Sequence, residues 1–160
     1  MNDLSTARDT LARTGCSCVL VRDGEIKASR LTGIRPLLDW LQEDAACFRN
    51  AALADKVLGK AAALLLIFGG LSPSGEAFGQ VLSDGAAQVF DQYGVSYAFE
   101  TRAPYIINRA GTGMCPMEQR VRDLDPADPQ APRKAYDALR AAVEELRRNA
   151  QQNRNVKDEI

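Results

Sequence analysis

The chain has 160 residues, 46% of them hydrophobic and 26% charged, a composition that excludes a disordered protein and gives one compact domain with one core. Its 20 Lys and Arg against 21 Asp and Glu leave a formal net charge of -1, which removes the chain-wide basic field that nucleic-acid binders use against phosphates. The chain contains 0 His, so chemistry that needs imidazole as base, proton shuttle or metal ligand is closed to it.

Leu4, Ala7, Leu11 and Ala12 recur at helical spacing after Asp3, and Gly15 supplies a stop, which predicts a first helix over about residues 4 to 14. Cys18-Val19-Leu20-Val21 and Ile26-Lys27-Ala28 flank an Asp23-Gly24 turn and predict a β-hairpin. Pro36 suits a first helical turn, and Leu37, Leu38 and Leu41 share a face, so a second helix is expected from about 34 to 46 with Trp40 in the core. Ala51 to Ala54 reads as a brief strand, and Val57 to Phe68 as a buried helix closed by Gly69-Gly70. A short strand over Ala77 to Leu82, weakened by Gly79, precedes a helix over Asp84 to Tyr93. Gly94 then leads into an alternating strand, Val95 to Phe99.

From Asp123 the composition changes, with Pro126, Pro129 and Pro132 in a linker before a charged terminal helix. Ala135, Leu139, Val143 and Leu146 form its apolar stripe, and beyond about Ala150 the pattern is lost and a frayed tail is expected. The domain boundary is placed at 124, with residues 125–160 as linker and terminal helix. Helix, hairpin, helix, strand, helix, strand, helix, strand is the order of a three-layer α/β/α sandwich.

Cys16, Cys18, Cys47 and Cys115 in a chain of ordinary domain size read as reduced cytoplasmic thiols, and Cys16 and Cys18 as packing residues on one face of a strand. The N-terminus lacks the charged and apolar regions of a signal peptide. The greasiest stretch, Ala61 to Phe68, is far shorter than the roughly 18 residues that span a bilayer, so no membrane partner is expected.

Two segments carry unusual chemistry. Asp55-Lys56-Val57-Leu58-Gly59-Lys60 stands where a strand is expected to become a helix. Free N–H groups of that helix start, with Lys56 and Lys60 beside them, would suit a phosphate or carboxylate. The plain alternative is that Asp55 is an N-cap and Gly59 a packing residue, and no Walker pattern occurs. The second segment runs from Pro104 to Glu118. Gly111 and Gly113 permit unusual backbone angles around Thr112, Arg109 offers a planar fork for an anion, and Cys115 offers a thiol. Its plain alternative is a turn followed by a helix start at Cys115-Pro116. Arg35 at the start of the second helix could also face an anion.

Over Ala54 to Ala63 and Tyr105 to Glu118 the chain resembles an uncharacterised prokaryotic family, domain of unknown function number eighteen ninety-three, with a likeness extending over roughly residues 4 to 124. The resemblance implies a cytidine-deaminase-like fold, an α/β/α sandwich around a mixed sheet. A zinc deaminase needs a His or Cys ligand with a nearby Glu at one helix start and Pro-Cys-x-x-Cys at the next. Here those places hold Thr32-Gly33-Ile34-Arg35-Pro36 and Asp55-Lys56-Val57-Leu58-Gly59-Lys60, so zinc-dependent deamination is not expected and no cofactor is assigned. What the resemblance leaves is a pocket between two helix starts, with Asn108 to Glu118 folding over it.

Three functions compete. The leading one is a degenerate deaminase-fold domain that binds a small anionic or nucleotide-like ligand through Arg35, Lys56, Lys60, Asn108, Arg109, Gly111, Thr112, Gly113 and Glu118. The second is a metal-free enzyme with Cys115 as nucleophile, Lys56 or Lys60 lowering its pKa, and Asp55 or Glu118 moving protons. The third is a non-catalytic assembly protein that makes a homo-oligomer through the striped terminal helix.

Overall fold

The computed structural model describes residues 2–158. Helix α1 (Asp3–Arg13) is capped by Asn2, whose side chain accepts from the Ser5 N–H at 2.8 Å. Strands β1 (Cys18–Arg22) and β2 (Glu25–Ser29) follow as an antiparallel hairpin. Asp23 and Gly24 both have positive φ, 53° and 78°, the geometry of the type I′ turn that their sequence predicts.

Helix α2 (Arg35–Glu43) begins with Pro36 in its first turn and buries Leu37, Trp40 and Leu41. It stops at Glu43, short of the expected 46, and Asp44 to Asn50 form turns. Strand β3 (Ala52–Leu58), helix α3 (Lys60–Phe68), strand β4 (Glu76–Ser83), helix α4 (Asp84–Tyr93) and strand β5 (Ser96–Ala103) complete two crossover units. The sheet order is β2-β1-β3-β4-β5, with β1 antiparallel to β3 and the pairs β3·β4 and β4·β5 parallel.

The crossovers lay α3 and α4 side by side on one face, where they share a core with α2 that includes Leu53, Leu64, Leu82 and Phe90. On the other face α1 buries Ala7 and Leu11 against Val19, Val21, Ala54 and Phe78. Helices therefore cover both faces of a mixed sheet, the three-layer α/β/α fold.

Several boundaries differ from the sequence reading. The strand expected to end at Ala54 continues through Leu58, because Asp55, Val57 and Leu58 are held in register with Gly79, Val81 and Leu82 of β4. Ladder pairing with β4 outweighs the helix-compatible spacing of Val57 and Leu58. Cys16 and Cys18 separate: the strand starts at Cys18, which joins the core beneath α3, whereas Cys16 precedes it and packs beneath α1. All four cysteines are free thiols.

After α5 (Pro116–Val121), a turn leads into α6 (Ala131–Asp158), which continues as helix through the tail expected to fray beyond Ala150. Ala131, Ala135, Leu139 and Val143 enter the same core as α3, and Leu146 of the predicted stripe is left 56% exposed. Among the described residues no helix is long and apolar enough to cross a membrane.

Candidate functional site

Helix α3 is built from strong helix formers but starts on Gly59, which has no side chain to cap its first amides. The missing acceptor comes from a residue 58 positions beyond Lys60. Glu118 of α5 turns its carboxylate onto the helix start: Oε1 accepts from the Lys60 N–H at 2.7 Å and Oε2 from the Ala61 N–H at 2.7 Å. A Cβ added to Gly59 would collide with Glu118 Oε1 and lie 2.8 Å from Ile106 Cγ1. Glycine at 59 and glutamate at 118 therefore form one fitted unit. Glu118 is 8% exposed; burial raises its pKa, while the bonds from Ala61 and Lys60 and the Lys60 charge pull it back.

This arrangement corrects the expected anion site. Asp55 and Lys56 lie within β3 and do not stand at a helix start, so Asp55 is not an N-cap. The N–H groups proposed to receive a ligand anion already hold an anion of the chain itself. Lys60 does not project towards a ligand either. Its Nζ donates to the carbonyls of Arg122 at 3.0 Å and Leu124 at 2.5 Å, tying α3 to the end of α5.

Beside this unit lies a cavity of about 270 Å³ at the carboxyl end of β3, between the starts of α2 and α3. Open α/β sheets place ligand crevices at such strand ends. Apolar walls come from Ile34, Val57, Ala62, Ile106 and Met117, and the segment from Ile106 to Met117 forms one side. Asp55 and Glu118 line it as buried carboxylates, and Lys56, Arg109 and Cys115 also contribute. Five residues singled out from two distant stretches of sequence thus meet in one place: Asp55, Lys56, Arg109, Cys115 and Glu118.

Asp55 is 6% exposed and sits opposite Cys18 in the antiparallel register of β1 and β3. Its Oδ1 accepts from the Val57 N–H at 3.2 Å, and the Cys18 thiol also donates to the carboxylate. Burial lifts the Asp55 pKa from 3.8 to about 7, against those hydrogen bonds. The Cys18 thiol is pushed up as well, by burial first and then by the charge of Asp55. Lys56 is exposed at the cavity mouth, and exposed Arg109 reaches across it to donate to Thr32 Oγ1 at 2.6 Å.

The other expected site residues are elsewhere. Asn108, Gly111, Thr112 and Gly113 close a turn on themselves. The Asn108 side chain accepts from the Thr112 N–H at 3.0 Å, the Asn108 N–H donates to the Gly113 carbonyl at 2.8 Å, and Gly111 has φ 71°. Ile107 and Met114 form an antiparallel bridge at the base of this turn. Arg35 is exposed on α2 and does not line the cavity. The sequence reading offered Gly59 as a packing residue, and missed Glu118 as the group that fills the space and Cys18 as the partner of Asp55.

Zinc of the deaminase kind does not fit these residues. The starts of α2 and α3 carry Arg35-Pro36 and Gly59-Lys60, none of them a zinc-ligand type. Among the described residues no three His, Cys, Asp or Glu side chains gather as a ligand set, although Asp55, Cys115 and Glu118 line one cavity.

Comparison with known proteins agrees with this architecture. The crystal structure of a DUF1893 family protein (TM1506) from Thermotoga maritima is similar, with a TM-score of 0.72 at 23% identity over 90% of each chain. No curated protein matches. Residues 6–141 match the family described as TM1506, domain of unknown function (DUF1893), a span that includes the whole cavity and α6 as far as residue 141. The chain belongs to that family of domains of unknown function.

Proposed function

We propose that the domain binds a small nucleotide-like ligand in the cavity at the end of β3, its anionic end held at the mouth between Lys56 and Arg109. The scaffold is read as a deaminase-like one without the zinc ligands. The observation that carries the proposal is the gathering of Lys56 and Arg109 at one cavity mouth, from β3 and from the turn beyond β5. Among the described residues neither cation meets a carboxylate in an ion pair. Arg109 contributes a planar fork and Lys56 a mobile point charge, a pairing that suits a phosphate or carboxylate half in solvent.

Thermal-shift titration with cytidine and adenosine monophosphates tests this reading. Stabilisation is expected in the parent chain, with the response weakened by Lys56→Ala and by Arg109→Ala. No response, or one indifferent to both substitutions, overturns it. Cys115 supports a second reading: it is half-buried on the same cavity as Asp55 and Glu118, positioned for metal-free thiol chemistry. With Lys60 turned onto backbone carbonyls, Lys56 is the cation left to activate it. A Cys115 that reacts with iodoacetamide no faster than the thiols of the unfolded chain removes that reading.

A further inference from the structure

The cavity has opposite polarity at its two ends. Its cations, Lys56 and Arg109, are exposed at the mouth, whereas its buried ionisable side chains are two acids, Asp55 from β3 and Glu118 from α5. Lys60, whose backbone N–H Glu118 accepts, sends its ammonium to the carbonyls of Arg122 and Leu124. A ligand that carried its anion inward would place like charges together in a desolvated space, which disfavours the charged forms of both. The inner end of the ligand must therefore be neutral or cationic.

Hydrogen-bonding capacity narrows this further. An ionised carboxylate has about four acceptor positions, and a protonated one keeps part of that capacity. Glu118 spends one bond from each oxygen on the α3 amides, and Asp55 accepts from the Val57 N–H and the Cys18 thiol. Both acids keep acceptor capacity, and both line the cavity. Each is fixed before any ligand arrives, Glu118 by backbone bonds and Asp55 by its strand, so little ordering cost attends their use. Ile34, Val57, Ile106 and Met117 supply apolar walls suited to the faces of a ring.

From this arrangement we infer that the interior of the cavity receives a planar group bearing N–H donors, an amidine or amino-substituted heterocycle, whose donor edge faces Asp55 and Glu118. The inference rests on the cavity being the ligand site and adds the chemistry and direction of the bound molecule. Anionic and donor ends are then separated, one at the mouth and the other inside.

Benzamidine and benzoate, alike in shape and opposite in charge, are the probes, measured by calorimetry on the full chain beside cytidine monophosphate. Benzamidine is expected to bind at least tenfold more tightly than benzoate and to weaken at least tenfold in Asp55→Asn. In the parent chain, benzamidine should also shift the Val57 amide resonance, a readout that does not depend on a variant folding. Benzoate binding as tightly as benzamidine, or benzamidine binding that leaves both Asp55→Asn and the Val57 amide unaffected, overturns the inference. Monophosphate binding that depends on Lys56 and Arg109, with benzamidine silent, overturns the interior assignment and keeps the mouth. Benzamidine binding with the monophosphate silent keeps the interior assignment and overturns the mouth.

Discussion

Helices α3 and α4 start in the same way topologically, each at the end of a parallel strand of one sheet, yet their first turns are completed by opposite means. At α4 the solution is local. Ser83 accepts from the Ala86 N–H at 3.0 Å, Asp84 stands in the first turn and pairs with Arg102 at 2.7 Å, and Gly94 closes the helix in the left-handed region. At α3 the cap is Gly59, and the acceptor is Glu118 from another helix. A local cap stabilises one helix and leaves its surroundings free. The remote cap joins two helices, orders the segment between β5 and α5, and forms part of a cavity with an acidic interior.

Gly59→Ala strikes the remote cap hardest, because its Cβ would occupy the place of Glu118 Oε1. Displacing the carboxylate strands it and two helix amides, for a loss of roughly 5 kcal/mol in a urea melt. A glycine-to-alanine change inside the first turn of α4, Gly85→Ala, puts a Cβ 3.1 Å from Lys60 Cβ and gains helix propensity, so it should stay within about 1 kcal/mol of the parent. Equal losses at the two positions would dissolve the contrast.

Acidity separates the two regions as well. Asp55 releases its proton near 7 in the folded chain, against 3.8 ordinarily, so between those values the native state holds more protons than the unfolded state. The stability this carboxyl contributes is complete below 3.8 and is lost as the pH rises through about 7, a change of at most about 4 kcal/mol. Asp55→Asn stays neutral throughout. Its stability relative to the parent should therefore rise between about pH 4 and pH 8 in paired guanidinium melts. A constant difference would mean that Asp55 is hydrated in the folded chain.

Glu118→Ala sharpens the comparison without adding a clash. It leaves the Lys60 and Ala61 amides without their acceptor and should cost about 3 kcal/mol, with faster hydrogen exchange at both amides. Ser83→Ala removes the single local acceptor at α4 and should cost about 1 kcal/mol, leaving exchange at Lys60 and Ala61 unchanged.

The same division explains what the sequence made legible. Strand β5 runs on to Ala103, past the expected Phe99, and its burial does not alternate, whereas the Asp23-Gly24 turn and the helix Asp84–Tyr93 are specified by residues within a few positions of one another. Their local signals and their final structures coincide. The boundary between β3 and α3 is different, since pairing with β4, joined at Asp55 by β1, fixes Asp55 to Leu58 as strand and neither neighbour is visible in the local pattern. Five of the candidate site residues line one cavity, but Lys60, read beside Lys56, is not among them. Lys56 and Lys60 look like one basic cluster in sequence, and the strand-to-helix turn at Gly59 sends them to different places. One signal was present: a strong helix-forming run preceded by glycine, with no Ser, Thr, Asp or Asn to cap it, demands an acceptor from elsewhere. Nothing in the spacing identifies that acceptor as Glu118.

The central claim is that the α3 start is filled by Glu118, so that an external anion is held by the cavity mouth. The direct measurement is a 1H–15N titration of the full chain with cytidine monophosphate. The account predicts that the Arg109 side-chain N–H and the backbone amides around Lys56 shift most, and that those of Lys60 and Ala61 move only by the smaller amount that a ligand donor on Glu118 causes. Large shifts at Lys60 and Ala61, with the Arg109 signal unmoved, would show the ligand anion taking the place of Glu118 and would contradict it.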